Sequence, residues 1–445
     1  MQSANTDTIS YRYIFSKAWP IILANAAVPL LGLVDTAVIG NIGNVQDLGA
    51  IAFGALIFSF VYWSFGFLRM GTTGFAAQAL GAGDETEVRA VLGRSLLLAV
   101  ALGLLLILLQ WPISLAAFSL LSGSDSVEQL GQQYFSIRIW GAPATLANFA
   151  LMGVFIGLGN SKQLLLVQLF MNSLNIVLDV LFAGVLGWGV SGIAAGTVAA
   201  EWSTVAFASW LLIRELRTRK IDGDAFWPWP RILDRQATLK TLRANVDIMI
   251  RTLLLVFSFG FFIDQSARYG EVVLAANHIL MQIISFAAFF LDGYAFVVES
   301  LVGSSIGAKN LVRFDSAVKR STILAASTAV YLAVMVWAFG DYAVAVLTDL
   351  EFVREAASDM LFLAAIYIFF SFAAFQLDGI FIGASHTSQM RNAAFMSLAV
   401  YFAAWWFLSQ RYGVNGLWWA MIIYVAARAD ALLMYFPALR KRISE

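Results

Sequence analysis

The chain has 445 residues, 60% of them hydrophobic and 13% charged, with a formal net charge of zero and a mean hydropathy of +0.78. A soluble domain is nearer half apolar and a quarter charged, so this composition describes a polytopic membrane protein. There is no cysteine and there are only two histidines, His278 and His386, which excludes disulfides, thiol catalysis, iron–sulfur clusters and a histidine-built metal centre.

The opening stretch, "MQSANTDTISYRYIFSKAWP", lacks the basic start, short apolar core and small-residue cleavage site of a signal peptide. The first span is therefore expected to act as an uncleaved insertion signal. About 20 apolar residues cross a bilayer, and on that criterion the chain predicts twelve helices. They cover roughly 14–40, 48–80, 88–114, 127–158, 161–185, 190–217, 241–267, 273–306, 314–338, 352–384, 387–408 and 413–437. Barrel strands are far shorter than these runs, so the expected fold class is all-α and integral to the membrane.

Lys and Arg in the connections set the orientation. Arg214, Arg217, Arg219, Lys220, Arg231, Arg235, Lys240 and Arg243 crowd the segment between the sixth and seventh spans. Arg89 and Arg94 follow the second span, and Arg440, Lys441 and Arg442 lie in the tail. The facing connections "NIGNVQD", "LSGSDSVEQLG" and "AGVLGWGVSG" have no basic residue. Both termini are thus expected on the cytoplasmic side, with the basic segment read as a topology signal and not as a nucleic-acid surface.

The two halves resemble each other at an offset of 226 residues: "LIFSF" at 56 meets "QIISF" at 282, and "LMGVFIG" at 151 meets "LDGIFIG" at 377. At that offset Gly81-Ala82 meets Gly307-Ala308, and Gln163 meets Gln389. A six-helix unit enters and leaves on the same side, so its duplicate has parallel topology, as in many secondary transporters. The expected division is a six-helix lobe over 1–217, a linker over 218–240 in which Pro228 and Pro230 break helices, and a second lobe over 241–445.

Charges inside spans are costly, by about 2.5–3.5 kcal/mol on insertion scales, and are functional sites by default. Asp35 in "LLGLVDTAVIG" and Asp179 in "MNSLNIVLDVLFAG" are two such acids. Asn172, Asn175 and Asp179 share one face of the fifth helix, where a carboxylate with amide oxygens can hold a proton or a dehydrated sodium ion. Hydrogen bonds that link helices are the structural alternative. At the 226 offset Asp35 meets Phe261 and Asp179 meets Trp405, so this polar set belongs to the first half alone. Generic helix packing would have been kept in both halves. The second half has its own acids, Asp292, Glu299 and Asp378, which suit recognition of a cationic substrate or a gate, or else pairing with Arg69 or Arg251. Pro20 and Pro29 lie on the first helix, where a missing backbone bond permits a bend.

These residues carry a family resemblance across nearly the whole chain. "PIILANAAVPLLGLVDTAVIG", "GTTGFAAQALGAGD", "NIVLDVLFAGVLGWGVSGIAAGTVAA", "LDGYAFVVESLVGSSIGAKN" and "LDGIFIGASHTSQMRNA", in this order, resemble the multidrug and toxic compound extrusion (MATE) transporters, in the branch named for the DNA-damage-inducible protein F. The resemblance implies a V-shaped pair of six-helix lobes and cation-coupled efflux by alternating access, with the coupling site in the N-terminal lobe. Carried over, Asp35, Asn175 and Asp179 match that site, Thr197 fits its position on the sixth helix, and Pro20 matches the proline where the first helix bends. The other branch places acids on the seventh and tenth helices; here the seventh offers only Asp264 near its outer end and the tenth offers Asp378.

The expected function is a secondary antiporter of the cytoplasmic (inner) membrane, not an enzyme. It would export amphipathic organic compounds, cationic by expectation, in exchange for protons or for sodium ions held at Asp35, Asn175, Asp179 and Thr197. No cofactor, resident metal or nucleic acid is expected, and a monomer among membrane lipids suffices. An exporter of one metabolite or lipid-linked intermediate is the alternative, with a membrane-embedded enzyme third. The chain lacks a phosphate-binding glycine loop ending in Lys-Ser/Thr, which argues against ATP-driven pumping.

Overall fold

The computed structural model describes residues 8–27, 38, 44–120, 124–219 and 226–444, which are helical almost throughout and contain no strand. In chain order the helices are α1 (Tyr11–Ala26), α2 (Val45–Ser64), α3 (Phe67–Gly81), α4 (Glu85–Leu108), α5 (Gln110–Leu120), α6 (Asp125–Arg138) and α7 (Ala142–Gly157). There follow α8 (Ser161–Asp179), α9 (Gly189–Arg217), α10 (Trp229–Ile232), α11 (Arg235–Ala267), α12 (Glu271–Gly307), α13 (Leu311–Leu347), α14 (Glu351–Gly383), α15 (Thr387–Leu433) and α16 (Phe436–Ser444).

Among the described residues, 10 helical runs are long and apolar enough to cross a membrane. Two expected spans share the run Thr387–Ile443, because the chain turns at Gly413 (φ 56°, ψ −130°) without leaving helical hydrogen bonding on either side. The first expected span is described only over Tyr11–Ala26, and Pro29 and Asp35 lie outside the described residues. The second span is broken at Phe65–Gly66 into α2 and α3, and the third ends near Leu108, ahead of a separate α5.

The chain forms two compact units. One holds Leu23–Leu80 and Asp84–Thr241; the other holds Met1–Ile22, Gly81–Gly83 and Leu242–Glu445. In the first-half unit α4 packs on α7, α8 on α9 and α2 on α6. In the second-half unit α14 packs on α12, α13 and α15 around Phe262, Tyr401, Trp418 and Tyr424. Within that core Trp418 Nε1 donates to Asn277 Oδ1 at 3.0 Å, and Asn277 Nδ2 donates to Ser266 Oγ at 2.8 Å, as most buried polar groups do, while the Tyr401 hydroxyl has no hydrogen-bond partner among the described residues.

The internal repeat is visible in backbone geometry. Positive φ occurs at Gly83, Gly159 and Gly187 (71° each) and again at Lys309 (51°), Ser385 (54°) and Gly413 (56°), the same 226 positions on. A left-handed conformation at lysine and serine is unfavourable by roughly 1–2 kcal/mol, so the turn is imposed by the helices it joins. Caps recur as well. Asp84 accepts from the Glu87 amide and Asn310 from the Arg313 amide, both at 2.9 Å. So do close helix approaches: a Cβ at Gly153 would meet the Arg69 carbonyl oxygen at 2.5 Å, and one at Gly379 the Ala295 carbonyl oxygen at 2.6 Å. Arg69 and Ala295 are themselves 226 apart.

The basic segment after α9 makes specific contacts. Arg219 pairs with Glu85 (3.2 Å) and Glu215 (2.9 Å), and Arg231 pairs with Asp84 at 2.6 Å. Arg94 donates to the Arg231 carbonyl at 2.7 Å and pairs with Glu87, while Ile232 lies against Gly93. Burial pushes the Asp84 carboxyl upward, but the Glu87 amide and Arg231 outweigh it and hold it below the usual carboxylate range. Pro228 and Pro230 do not break a helix here. Pro228 is the N-cap and Pro230 sits in the first turn of α10, where a missing N–H costs nothing.

Candidate functional site

The polar face expected on the fifth span is built on α8. Gln168 Nε2 donates to Asn172 Oδ1 at 3.1 Å, and Asn172 Nδ2 donates to the Ala27 carbonyl at 3.1 Å. One turn on, Asn175 Nδ2 donates to Thr197 Oγ1 of α9 at 3.2 Å, and that hydroxyl donates to the Ile193 carbonyl at 2.9 Å. Asn175 is 1% exposed and Asp179 0%. The structure therefore brings Asn175 to Thr197, ties Asn172 to the end of the α1 region, and sets Asp179 on the same face. Asp35, the other expected member, lies outside the described residues.

Two features shape this site. Asn175 Oδ1 is a buried acceptor with no hydrogen-bond donor among the described residues, although most such atoms in folded proteins have one. A hard cation or the proton of a neutral carboxyl group satisfies such an oxygen, and Asn175, Asp179 and Thr197 together supply the oxygen ligands that a sodium ion prefers to nitrogen or sulfur. Second, α8 gives way at Asp179 to a π-helical turn, Val180–Val185, the irregularity that recurs at functional positions in helices.

Gly196 on α9 faces Asp179 so closely that a Cβ there would collide with the carboxylate and lie 3.2 Å from the Asp179 amide nitrogen. Gly196→Ala is accordingly expected to cut driven transport severely while leaving the protein monodisperse in detergent. A fluorescence size-exclusion profile with liposome efflux checks both, and wild-type efflux in the variant would show that this packing is not needed.

Sequence reasoning passed over a buried charge pair in the same unit. Arg138, at the end of α6, meets Glu201 of α9 through two parallel bonds of 2.7 and 2.6 Å. The guanidinium lies 5.2 Å from the Phe58 ring and 5.4 Å from the Tyr62 ring. Gly141 leaves room for the Glu201 carboxylate, and Asn148 Nδ2 donates to the Glu201 carbonyl at 3.2 Å. A single basic residue in "YFSIRIWG" and a single acid in "TVAAEWSTV" were the available signals, since each interrupts an apolar run.

In the second-half unit Asp378 does not stand open to a cationic substrate. Arg251 of α11 and Arg428 of α15 both bond its Oδ2, the latter at 2.7 Å. The pairing alternative with Arg251 is therefore the observed one, with Arg428 added. On α12, Asp292 is half-buried and Glu299 is 1% exposed; neither joins the Arg251–Asp378–Arg428 contact. Asp264 is 65% exposed with Arg268 at 3.8 Å, and His278 is exposed. Pro20 is buried inside α1, which runs through it. His386 precedes α15; burial, and then the charge of Arg442, push its imidazole below the usual histidine range. Among the described residues no group of three His, Cys, Asp or Glu is arranged for a metal ion.

Comparison with known proteins agrees with this architecture. The MatE family model matches residues 20–181 and again 248–406, one match in each half. The chain is 35% identical over 429 residues to the DNA damage-inducible protein F of Escherichia coli (strain K12), covering 96% of this chain and 92% of that one. It is 26% identical over 299 residues to a probable multidrug resistance protein NorM of Neisseria meningitidis, covering 66% of this chain and 62% of the relative. In fold it matches a MOP superfamily transporter from Pyrococcus furiosus with a TM-score of 0.85 at 19% identity, over 100% of this chain and 98% of the other. Two family matches, a 35% identical relative over almost its full length and a common fold make the chain a member of the MatE family, a multi-pass membrane transporter and not an enzyme.

Proposed function

We propose that the protein is a secondary antiporter that exports amphipathic organic compounds across the cytoplasmic membrane in exchange for protons or sodium ions. Both termini face the cytoplasm, and the monomer is the working unit. The observation that carries the coupling is the fully buried Asp179 carboxylate beside Asn175 Oδ1, which has no donor among the described residues. A cation from outside binds Asp179, Asn175 and Thr197, with Asp35 as the expected fourth ligand, and cancels the charge packed against α9. A neutral and a charged carboxylate favour different helix packings, so cation binding shifts the population between two conformations. The π turn after Asp179 is the place where α8 can absorb that change. The multidrug class is supported by the likeness to the probable multidrug resistance protein.

The test is efflux of a fluorescent amphipathic dye from liposomes holding the purified protein, with a proton gradient and a sodium gradient imposed separately. Dye movement that follows one gradient and collapses with its ionophore names the coupling ion. Movement indifferent to both would overturn antiport.

A further inference from the structure

The second-half unit holds a buried charge imbalance. Arg251 on α11 and Arg428 on α15 share a single carboxylate oxygen, Asp378 Oδ2. A guanidinium does not give up its proton in a protein, so two arginines against one aspartate carry one fixed positive charge. The neighbouring groups do not cancel it. Asp247, one turn before Arg251 on α11, is occupied by Arg391 at 2.6 Å and by Thr387 at 3.1 Å. Asp430, two residues after Arg428, points out of the unit and is exposed. Beside Arg428 lie the Tyr424 ring, 5.9 Å from the guanidinium, and the Tyr367 phenol.

An uncompensated charge held in a low-dielectric interior costs several kcal/mol, and the group cannot escape by neutralising. The remaining remedy is a counter-anion. The cluster is not sealed: the side chains of Arg251, Asp378 and Arg428 keep 9%, 13% and 12% of their surface open. We propose that this cluster is an anion-binding subsite, at which Arg428 and Arg251 receive the carboxylate of an exported organic compound. Three features favour an organic carboxylate over an inorganic ion. Planar guanidinium forks match a carboxylate in two bonds at once. Tyr424 packs at a tilt of 38° against Tyr401 with centroids 5.1 Å apart, so aromatic rings adjoin the charge. At the repeat offset Arg251, Asp378 and Arg428 correspond to Asn25, Met152 and Trp202, so the cluster, like the acids of the other half, is not inherited packing.

The inference rests on the transporter reading and names the charge of its cargo, in place of the cationic class expected from sequence. It is tested by equilibrium binding without any gradient. Purified full-length protein in detergent is titrated with naphthoate, with naphthylmethylamine and with sodium chloride, and affinity and thermal stabilisation are recorded. Naphthoate is expected to bind saturably and to stabilise the protein, the amine to do neither. Arg428→Gln leaves the neutral Arg251–Asp378 pair and is expected to weaken naphthoate at least about tenfold, the loss of one charge-assisted fork. Arg428→Lys, which keeps the charge and loses the fork, is expected to fall between them and serves if the glutamine variant does not fold. Naphthoate that fails to bind, or binds Arg428→Gln as tightly as the wild type, overturns the subsite. Stabilisation by chloride alone overturns the organic cargo and leaves a halide site. Because no gradient is imposed, failed antiport with intact naphthoate binding counts against the coupling site and not against this one.

Discussion

Asp179→Asn is expected to abolish gradient-driven efflux, by at least about tenfold, while the protein folds and inserts normally. A tenfold loss needs only about 1.4 kcal/mol of differential stabilisation between conformations, less than the cost of placing one charge in a membrane interior. Asparagine keeps the size and one oxygen but cannot change charge, so the variant stays in the packing preferred by the neutral carboxyl group. Asp35→Asn is expected to behave in the same way. The discriminating readout is substrate counterflow with no ion gradient: an uncoupled carrier still exchanges substrate, whereas an unfolded one does not. Gradient-driven efflux at the wild-type rate in both variants would sink the coupling site. The Gly196 contact gives the same prediction an independent handle, because it changes the surroundings of Asp179 and not its charge.

Much of the fold was legible because membrane insertion writes itself into local sequence. Runs of apolar residues gave the spans. Matched segments at one offset gave the duplication that reappears as matched turns at Gly83 and Lys309, Gly159 and Ser385, and Gly187 and Gly413. The polar face of α8 was legible for a related reason: residues on one helix are ordered by a fixed angle. Contacts between helices distant in sequence were not legible. Arg138 and Glu201 lie 63 positions apart, and Arg428 and Asp378 lie 50 apart; nothing in local periodicity says which charge meets which, and pairing of Asp378 with Arg251 was only one of the alternatives the sequence left open. That gap altered the reading of Asp378, which as an isolated intramembrane acid suggested a cation and as the shared partner of two arginines suggests the opposite. Backbone irregularity was hidden as well. The π turn at Val180–Val185 carries no local signal beyond Gly184, and the break at Phe65–Gly66 is marked only by Ser64 and Gly66.

Removing either member of the Arg138–Glu201 pair is expected to be more damaging to the fold than any change at the coupling face. Both side chains are under 10% exposed, and both guanidinium forks are used. Arg138→Ala would leave a buried carboxylate and Glu201→Ala a buried guanidinium, each at about 3–5 kcal/mol. Arg138→Ala also forfeits the cation–π contacts with Phe58 and Tyr62, worth roughly 2 kcal/mol when desolvated. Most of that loss is the cost of an unpartnered charge and not the worth of the pair, so it should be recoverable. A double variant, Arg138→Met with Glu201→Leu, keeps the volume and removes both charges, and is expected to melt near the wild type. Melting of the two single variants and the double variant in detergent forms a cycle that isolates the coupling between the two positions. Singles that melt with the wild type would mean that water reaches the pair. If the double variant is stable but does not transport, the pair acts in the conformational cycle: a bidentate bond between α6 and α9, the helix that also carries Thr197 and Gly196, would then fix how α9 moves when Asp179 changes charge.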